Sequence, residues 1–361
     1  FIADPKNVKC DELSANMNED AAYRIDASDL AIMKRLITAP SDSGMNKYAW
    51  LRINGGNENS GITALRSMPY NESWLVDVSD AVSVRYADDI SDGNYTINVS
   101  DTRRQTFEGF GAAMTETSGY NLSFMEKEQR AVLFNDLFGS DNGDALALHF
   151  LRQPFGASDF SVGEPYTYDD MPQGQTDTSL NNFSISRDEK YIIPYVKEAQ
   201  SINKNIEFVA GIWTAPLWMK TRYEWNTASG NAMLDSKYYG VYSDYIIKAL
   251  RAYKDRGINI KYLSAQNEPD GNHNIPATWY DKYAMESFVG GSLYGKLQQS
   301  GLSTKLIAYD FNWFDTNEDN ITRIKGYISG PNNGLSGKYH AVAFHPYMFN
   351  ADVQSVIHNV Y

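Results

Sequence analysis

Apolar residues gather in short runs along the second part of the chain, with longer helical segments between them. Six runs are visible, at residues 107–113, 146–154, 206–214, 260–267, 305–310 and 340–347. Between the third and fourth runs, residues 236–256 show the apolar spacing of a helix. Continuous apolar strands that alternate with helices are typical of parallel sheets with right-handed crossovers. The pattern predicts an α/β fold, either a barrel or a doubly wound sheet.

The first hundred residues follow a different pattern. An acidic segment over residues 1–40 ends in a short apolar-periodic helix and stops at Pro40, before a Ser/Gly-rich linker. Polar and apolar residues then alternate at 82–86 and 95–99, which predicts strands of a small appended sheet. The expected organisation is a helical segment at 1–40, a linker and appended strands at 41–106, and the α/β domain at 107–361.

The segment before the first helix resembles a degenerate calcium-binding repeat of the dockerin type. Its oxygen-bearing side chains lead into the helix at alternating positions: Asn16, Asn18, Asp20, Asp26 and Asp29. However, Ala21 stands where such a loop needs Gly, and Asp29 comes two residues late. An ordinary capped helix is the alternative. The dockerin interpretation implies Ca²⁺ within residues 16–29 and a cohesin-type scaffold partner; no other cofactor is expected.

Composition narrows the partners. The net charge of −13 repels phosphate backbones and anionic lipid surfaces, so nucleic acid is not an expected partner. One cysteine excludes an intrachain disulfide. No run approaches the roughly 18–20 apolar residues of a membrane helix. Because the sequence opens with Phe1 and not with a signal peptide, we expect it to be part of a longer secreted precursor.

Polar or aromatic residues stand at the ends of the apolar runs, where parallel barrels carry their active sites. These residues are Arg152 and Asp159 after the second run, Trp213 at the third, Asn267 and Glu268 at the fourth, Asp310 at the fifth, and His345 and Tyr347 at the sixth. Glu268 is the clearest candidate, because Pro269 ends its strand and leaves the carboxyl at the rim. A partly desolvated glutamate there could donate a proton to a leaving oxygen. A solvated loop glutamate or a structural ion pair is the alternative.

Several motifs, in order from about residue 107 to 361, resemble glycoside hydrolase family 30, the glucosylceramidase-like group. The Asn-Glu-Pro at 267–269 resembles the acid/base signature of retaining glycosidases. Three further motifs of the family are matched by FEGFGAAMT at 107–115, LRQPFGASDFS at 151–161 and WTAPLWMKT at 213–221. The resemblance implies a TIM (β/α)8 barrel, of which about six βα units lie in this chain, and a retaining β-glycosidase that acts on a carbohydrate substrate.

The resemblance also implies roles for single residues. Glu268 corresponds to the acid/base and Asn267 to the asparagine that binds the sugar 2-hydroxyl. Asp159 and Trp213 correspond to residues that hold the outer hydroxyls of the sugar. His345 and Tyr347 correspond to the pair beside the nucleophile, Arg152 to the arginine that keeps the nucleophile ionised, and Asp310 has a looser match. The alternative is a structural role for these residues: Trp213 and Tyr347 would be core aromatics, and Arg152 and His345 would be structural groups.

The family's nucleophilic glutamate ends the seventh barrel strand, which lies beyond Tyr361. Glu164, Glu224 and Glu286 are in loop or helix contexts and are not nominated. Residues 1–361 alone are therefore expected to be inactive. The expected substrate is a β-glucoside, such as a glucosylceramide-like lipid, a β-glucan or an oligosaccharide.

Three alternatives remain open: a non-catalytic carbohydrate-binding or scaffold-attached module, a xylanase or β-1,6-glucanase of the same family, and a doubly wound nucleotide enzyme. The last is disfavoured because the segment that begins at Gly109 lacks the final glycine of the dinucleotide fingerprint.

Overall fold

A computed structural model describes residues 65–68, 73–77, 106–140, 145–228, 232–347 and 351–360. In the first of two compact units, residues 1–107, strands β1 (Leu65–Met68) and β2 (Ser73–Asp77) pair antiparallel. The predicted strands at 82–86 and 95–99, the helix within 1–40 and the calcium candidates Asn16, Asn18, Asp20, Asp26 and Asp29 lie outside the described residues.

The second unit contains a curled parallel sheet of six strands. They are hydrogen-bonded in chain order: β3 (Gly111–Ala113), β4 (Phe150–Pro154), β5 (Glu207–Gly211), β6 (Ile260–Ser264), β7 (Lys305–Asn312) and β8 (Ala341–His345). Each strand corresponds to one predicted apolar run. This order, with helices between the strands, confirms the prediction of an incomplete (β/α)8 barrel and excludes the doubly wound order, in which the strand sequence reverses.

The helices follow the strands along the chain. They are α1 (Glu116–Leu122), α2 (Lys127–Phe138), α3 (Ser186–Tyr191), α4 (Ile193–Ile202), α5 (Tyr239–Lys254), α6 (Lys282–Met285), α7 (Tyr294–Gln299), α8 (Glu318–Ile328) and α9 (Asp352–His358). A π-helical segment, Glu286–Leu293, joins α6 to α7. The helix predicted over 236–256 is confirmed as α5, preceded by a 3₁₀ turn at Ser236–Tyr238.

Several strands end at positions other than those predicted. β5 ends at Gly211 and β6 at Ser264, so Trp213, Asn267 and Glu268 lie in the loops that follow these strands. β7 instead continues to Asn312, past the predicted end at Asp310. Its register with β8 shifts between Tyr309 and Phe311, and both Tyr309 and Asp310 have positive φ. Because of this bulge, the side chain of Asp310 points in a direction that the regular alternation of a strand would not give it.

A buried carboxylate fastens the long loop after β4 to the helices around it. Asp188, in α3, accepts hydrogen bonds from the hydroxyls of Tyr166 (2.6 Å), Tyr168 and Tyr253 (2.6 Å). Tyr166 and Tyr168 belong to the loop, and Tyr253 belongs to α5. Burial raises the pKa of Asp188 to about 6, although the three hydroxyls oppose this shift. The loop that leads away from β4 is thus anchored to two helices.

None of the helices within the described residues is both long enough and apolar enough to cross a membrane.

Candidate active site

Glu268 lies in the turn that follows β6, at the carboxyl end of the parallel sheet. The backbone N–H of Asn267 donates to Ile212 O at 2.7 Å, and that of Glu268 donates to Asp310 O at 3.0 Å. These bonds tie the turn to the segments after β5 and within β7. Glu268 itself has a φ of 48°, which is uncommon for a residue with a side chain. The backbone of this turn is therefore held by the segment after β5 and by β7, and the backbone sets the direction of the Glu268 side chain.

His345, the last residue of β8, lies between two carboxylates. Its Nδ1 is 2.8 Å from Oε1 of Glu268, and its Nε2 is 3.0 Å from Oδ1 of Asp310. Burial alone would lower the pKa of His345, but the hydrogen bonds to Asp310 and Glu268 raise it to about 9. The imidazole is thus charged at neutral pH, and both of its N–H groups donate.

Asp310 is a fixed anion on the far side of His345. The side chain is buried, and Nη2 of Arg152 donates to its Oδ2 at 2.9 Å. Burial would raise the pKa of Asp310, but the charge of Arg152 and the hydrogen bond from His345 hold it well below its usual range. Arg152 Nη2 also donates to Oδ1 of Asn267 at 2.9 Å. One network therefore joins β4, the turn after β6, the bulge in β7 and the end of β8.

Two aromatic side chains adjoin this network. The guanidinium carbon of Arg152 lies 4.5 Å from the ring centroid of Trp213, which is buried. Tyr347 is 65% exposed, and its ring meets that of His345 edge-on at 5.9 Å between centroids. The interpretation of Tyr347 as a core aromatic is therefore wrong, whereas Trp213 packs inside the network.

Asp159 is the predicted site residue that the structure does not bring into this network. It is exposed, in the loop after β4. Its neighbour Phe160 is held by α1, because the carbonyl of Phe160 accepts from Thr117 N (3.1 Å) and Thr117 Oγ1 (2.8 Å). The backbone at Asp159 is thus fixed, while the carboxylate is open to solvent.

Comparisons with known proteins agree with this arrangement of strands. The family model for the glycosyl hydrolase family 30 TIM-barrel domain matches residues 107–288. The chain belongs to this family. An endo-1,6-beta-D-glucanase of Neurospora crassa is 30% identical over 278 residues, which cover 75% of this chain and 55% of the relative. The putative glucosylceramidase 1 of Caenorhabditis elegans is 31% identical over 245 residues, 64% of this chain and 45% of the relative.

A solved structure of an endo-beta1,6-glucanase superposes with a TM-score of 0.62 at 32% identity. The match covers 71% of this chain and 56% of that one. The chain thus spans about half the length of the curated family 30 relatives that it matches.

The three glutamates that the sequence analysis did not nominate are engaged elsewhere or exposed. Oε1 of Glu224 lies 2.8 Å from Arg222 Nη2, and Glu286 accepts from the backbone N–H groups of Asn332 and Gly334. Glu164 is exposed in the loop after β4. In the part of the chain that the structure describes, no group of three or more His, Cys, Asp or Glu side chains is arranged to hold a metal ion.

One side chain that contacts the candidate acid/base was not predicted from the sequence. Nε2 of His273, in the loop after Glu268, lies 3.0 Å from Oε2 of Glu268. Histidine is scarce in this chain, with five in 361 residues, and His273 follows Glu268 by five positions in a Gly/Asn-rich loop. The short separation between His273 and Glu268 is a signal in the sequence. However, the conformation of the loop decides whether the two side chains come into contact.

Proposed function

We propose that the full-length protein is a retaining β-glycosidase that hydrolyses β-glucosides by double displacement, with Glu268 as the acid/base. The observation that carries this proposal is the placement of Glu268 at the carboxyl end of the sheet, with Oε1 held by His345 at 2.8 Å. A carboxyl group fixed in this way can protonate a leaving oxygen and later deprotonate a water molecule. No cofactor takes part in this mechanism.

Asn267 and Arg152 prepare the sugar site in this proposal. Oδ1 of Asn267 accepts a hydrogen bond from Arg152, so Nδ2 of Asn267 is the atom that can donate to a sugar 2-hydroxyl. Hydrogen bonds to that hydroxyl strengthen as the oxocarbenium-like transition state forms. Asp159 and Tyr347, both exposed, and Trp213 supply further sugar contacts.

The nucleophile must be a second carboxylate about 5 Å from Glu268 in a retaining enzyme. Among the described residues, Asp310 is the carboxylate that shares a histidine with Glu268, but Arg152 and His345 already occupy its oxygens. We therefore assign the nucleophile to a later barrel strand of the full-length protein. Residues 1–361 expressed alone are expected to be inactive.

The substrate proposal is a β-glucoside, and two classes compete. Relatives named as endo-1,6-beta-D-glucanases favour a β-1,6-glucan, and relatives named as glucosylceramidases favour a glucolipid. A glucan substrate would fit a secreted protein. Calcium binding by residues 16–29 and attachment to a cohesin-type scaffold remain separate proposals, which calcium titration of the full-length protein would test.

The decisive experiment follows the anomer released by the full-length protein. It is incubated with β-1,6-glucan, glucosylceramide, xylan and aryl β-glucosides, and the first product is observed by ¹H NMR. We expect a β-anomer from a glucoside and little release from xylan. An α-anomer as first product would exclude double displacement, and binding of the sugars without any release would favour the carbohydrate-binding alternative.

A further inference from the structure

The side chain of Glu268 lies between two histidines. His345 is 2.8 Å from Oε1, and His273 is 3.0 Å from Oε2. His345 is fixed from behind by Asp310. The carboxylate of the candidate acid/base therefore has an imidazole against each of its oxygens, and only the first of these is accounted for by the family resemblance.

The backbone of His273 is held in place from another loop. The buried side chain of Thr227, in the loop after β5, accepts from the N–H of His273 at 2.9 Å and donates to the carbonyl of Gly271 at 2.8 Å. The N–H of Thr227 donates to the carbonyl of His273 at 3.1 Å. Three hydrogen bonds to one residue thus fix the turn that carries the imidazole.

The ring of His273 packs directly over Gly271. A Cβ placed on Gly271 would lie 1.9 Å from Nε2 of His273, which no real pair of atoms allows. Gly271 does not have positive φ, so its backbone does not itself require glycine. The imidazole of His273 can therefore occupy its position only because residue 271 has no side chain. On its other side, the ring meets Phe311 edge-on at 6.3 Å between centroids.

The buried Nε2 of His273 makes no linear hydrogen bond with any group in the described ranges. Its contact with Oε2 is thus a close approach without a linear hydrogen bond, and it restricts the position of the carboxylate. The other charged groups around Glu268 are His345, Asp310 with Arg152, and the ion pair of Asp270 with Arg323.

We propose that His273 is a positioning residue for Glu268: its Nε2 fixes Oε2 and so holds the carboxyl group in the orientation in which it protonates the leaving oxygen. This inference rests on the proposed function, because it assigns a partner to the acid/base named there. It adds a residue supplied by a loop and held by Thr227 and Gly271.

The test compares three variants of the full-length protein through a profile of kcat/KM over two substrates: an alkyl β-glucoside, whose poor leaving group needs protonation, and an activated aryl β-glucoside, which needs little. His273→Leu removes the polar group and should lower kcat/KM on the alkyl β-glucoside about 3- to 30-fold, with a much smaller loss on the aryl β-glucoside. His273→Gln keeps an N–H near Nε2 and should restore part of the loss. Gly271→Ala leaves both histidines intact, displaces the ring of His273 and should reproduce the profile of His273→Leu.

His340→Gln is the matched control, because His340 precedes β8 at the opposite end of that strand from His345. Its profile should equal that of the unmodified protein. An unmoved profile in His273→Leu, or a lower melting temperature as the only change, would overturn this inference while Glu268→Gln still loses activity. Full activity in Glu268→Gln would instead overturn the proposed function and this inference with it.

Discussion

Nδ1 of His345 lies 2.8 Å from Oε1 of Glu268, and the same imidazole contacts Asp310 through Nε2. The carboxylate of Glu268 is thereby linked to an anion that stays ionised across the physiological pH range. Because the imidazole carries a proton on each nitrogen, the chain of contacts holds one positive charge between two carboxylates. The position of the Glu268 carboxylate therefore depends on β7 and β8 as well.

The role of Glu268 is tested by its leaving-group dependence. In the full-length protein, Glu268→Gln should keep substrate binding and lose about 10²- to 10⁴-fold in turnover of substrates with poor leaving groups. Activated aryl glucosides need little protonation and should lose much less in the glycosylation step. Initial rates are measured on substrates with poor leaving groups and on activated aryl glucosides. Equal losses on both would show that Glu268 is not the general acid.

The charge of His345 makes stability depend on pH. Its pKa is raised from about 6.5 in the unfolded chain to about 9 in the folded protein. The stabilisation is therefore fully present below pH 6.5 and is lost as the pH rises through 9, with a magnitude of roughly 1–3 kcal/mol. Urea unfolding at pH 6 and pH 9.5 should show this loss in the unmodified protein and a smaller one in His345→Gln.

A substitution at Trp213 distinguishes a role in sugar binding from a role in packing. Trp213→Phe keeps an aromatic ring against Arg152 but removes the indole N–H and part of the ring surface. We expect glucose-like inhibitors to bind about 10-fold more weakly, equivalent to one lost hydrogen bond of about 1.4 kcal/mol, with little change in melting temperature. Isothermal titration and thermal melts measure the two effects; a collapsed melting temperature with unchanged affinity would favour a purely structural tryptophan.

The cluster of tyrosines around Asp188 should behave as a unit. Tyr253→Phe removes one hydroxyl and should cost about 1 kcal/mol of unfolding free energy. Asp188→Leu leaves the hydroxyls of Tyr166, Tyr168 and Tyr253 without their shared acceptor and should cost roughly 3 kcal/mol or more. Denaturant melts of the two variants test this. Similar losses in both would mean that the hydroxyls find other partners.

The sequence was informative where hydrophobic patterning decides the structure. The six apolar runs located β3 to β8, because strands buried on both faces need continuous apolar residues. The polar residues after those runs located Arg152, Asn267, Glu268, Asp310 and His345, which the structure joins in one network. Carboxyl ends of parallel strands meet on one edge, so this part of the site follows from topology.

Other features depended on local conformation that no periodicity encodes. The bulge at Asp310 arises from two consecutive residues with positive φ, and neither is glycine. His273 reaches Glu268 because Thr227, 46 residues earlier, holds its loop. Asp188 resembles a solvated helix residue in the sequence, and it becomes buried only because three distant tyrosine hydroxyls surround it. Such partners are chosen by tertiary packing.

The partners in the network are far apart along the chain, and this affects how the protein is made. Arg152 precedes Asp310 by 158 residues, so at typical rates of synthesis it leaves the ribosome roughly 8 to 30 s earlier. Desolvating an unpaired guanidinium is costly, so Arg152 stays hydrated until β7 docks. The wall of the nascent barrel can therefore assemble strand by strand while Arg152 remains hydrated, and the network forms only when the fifth and sixth strands, β7 and β8, arrive.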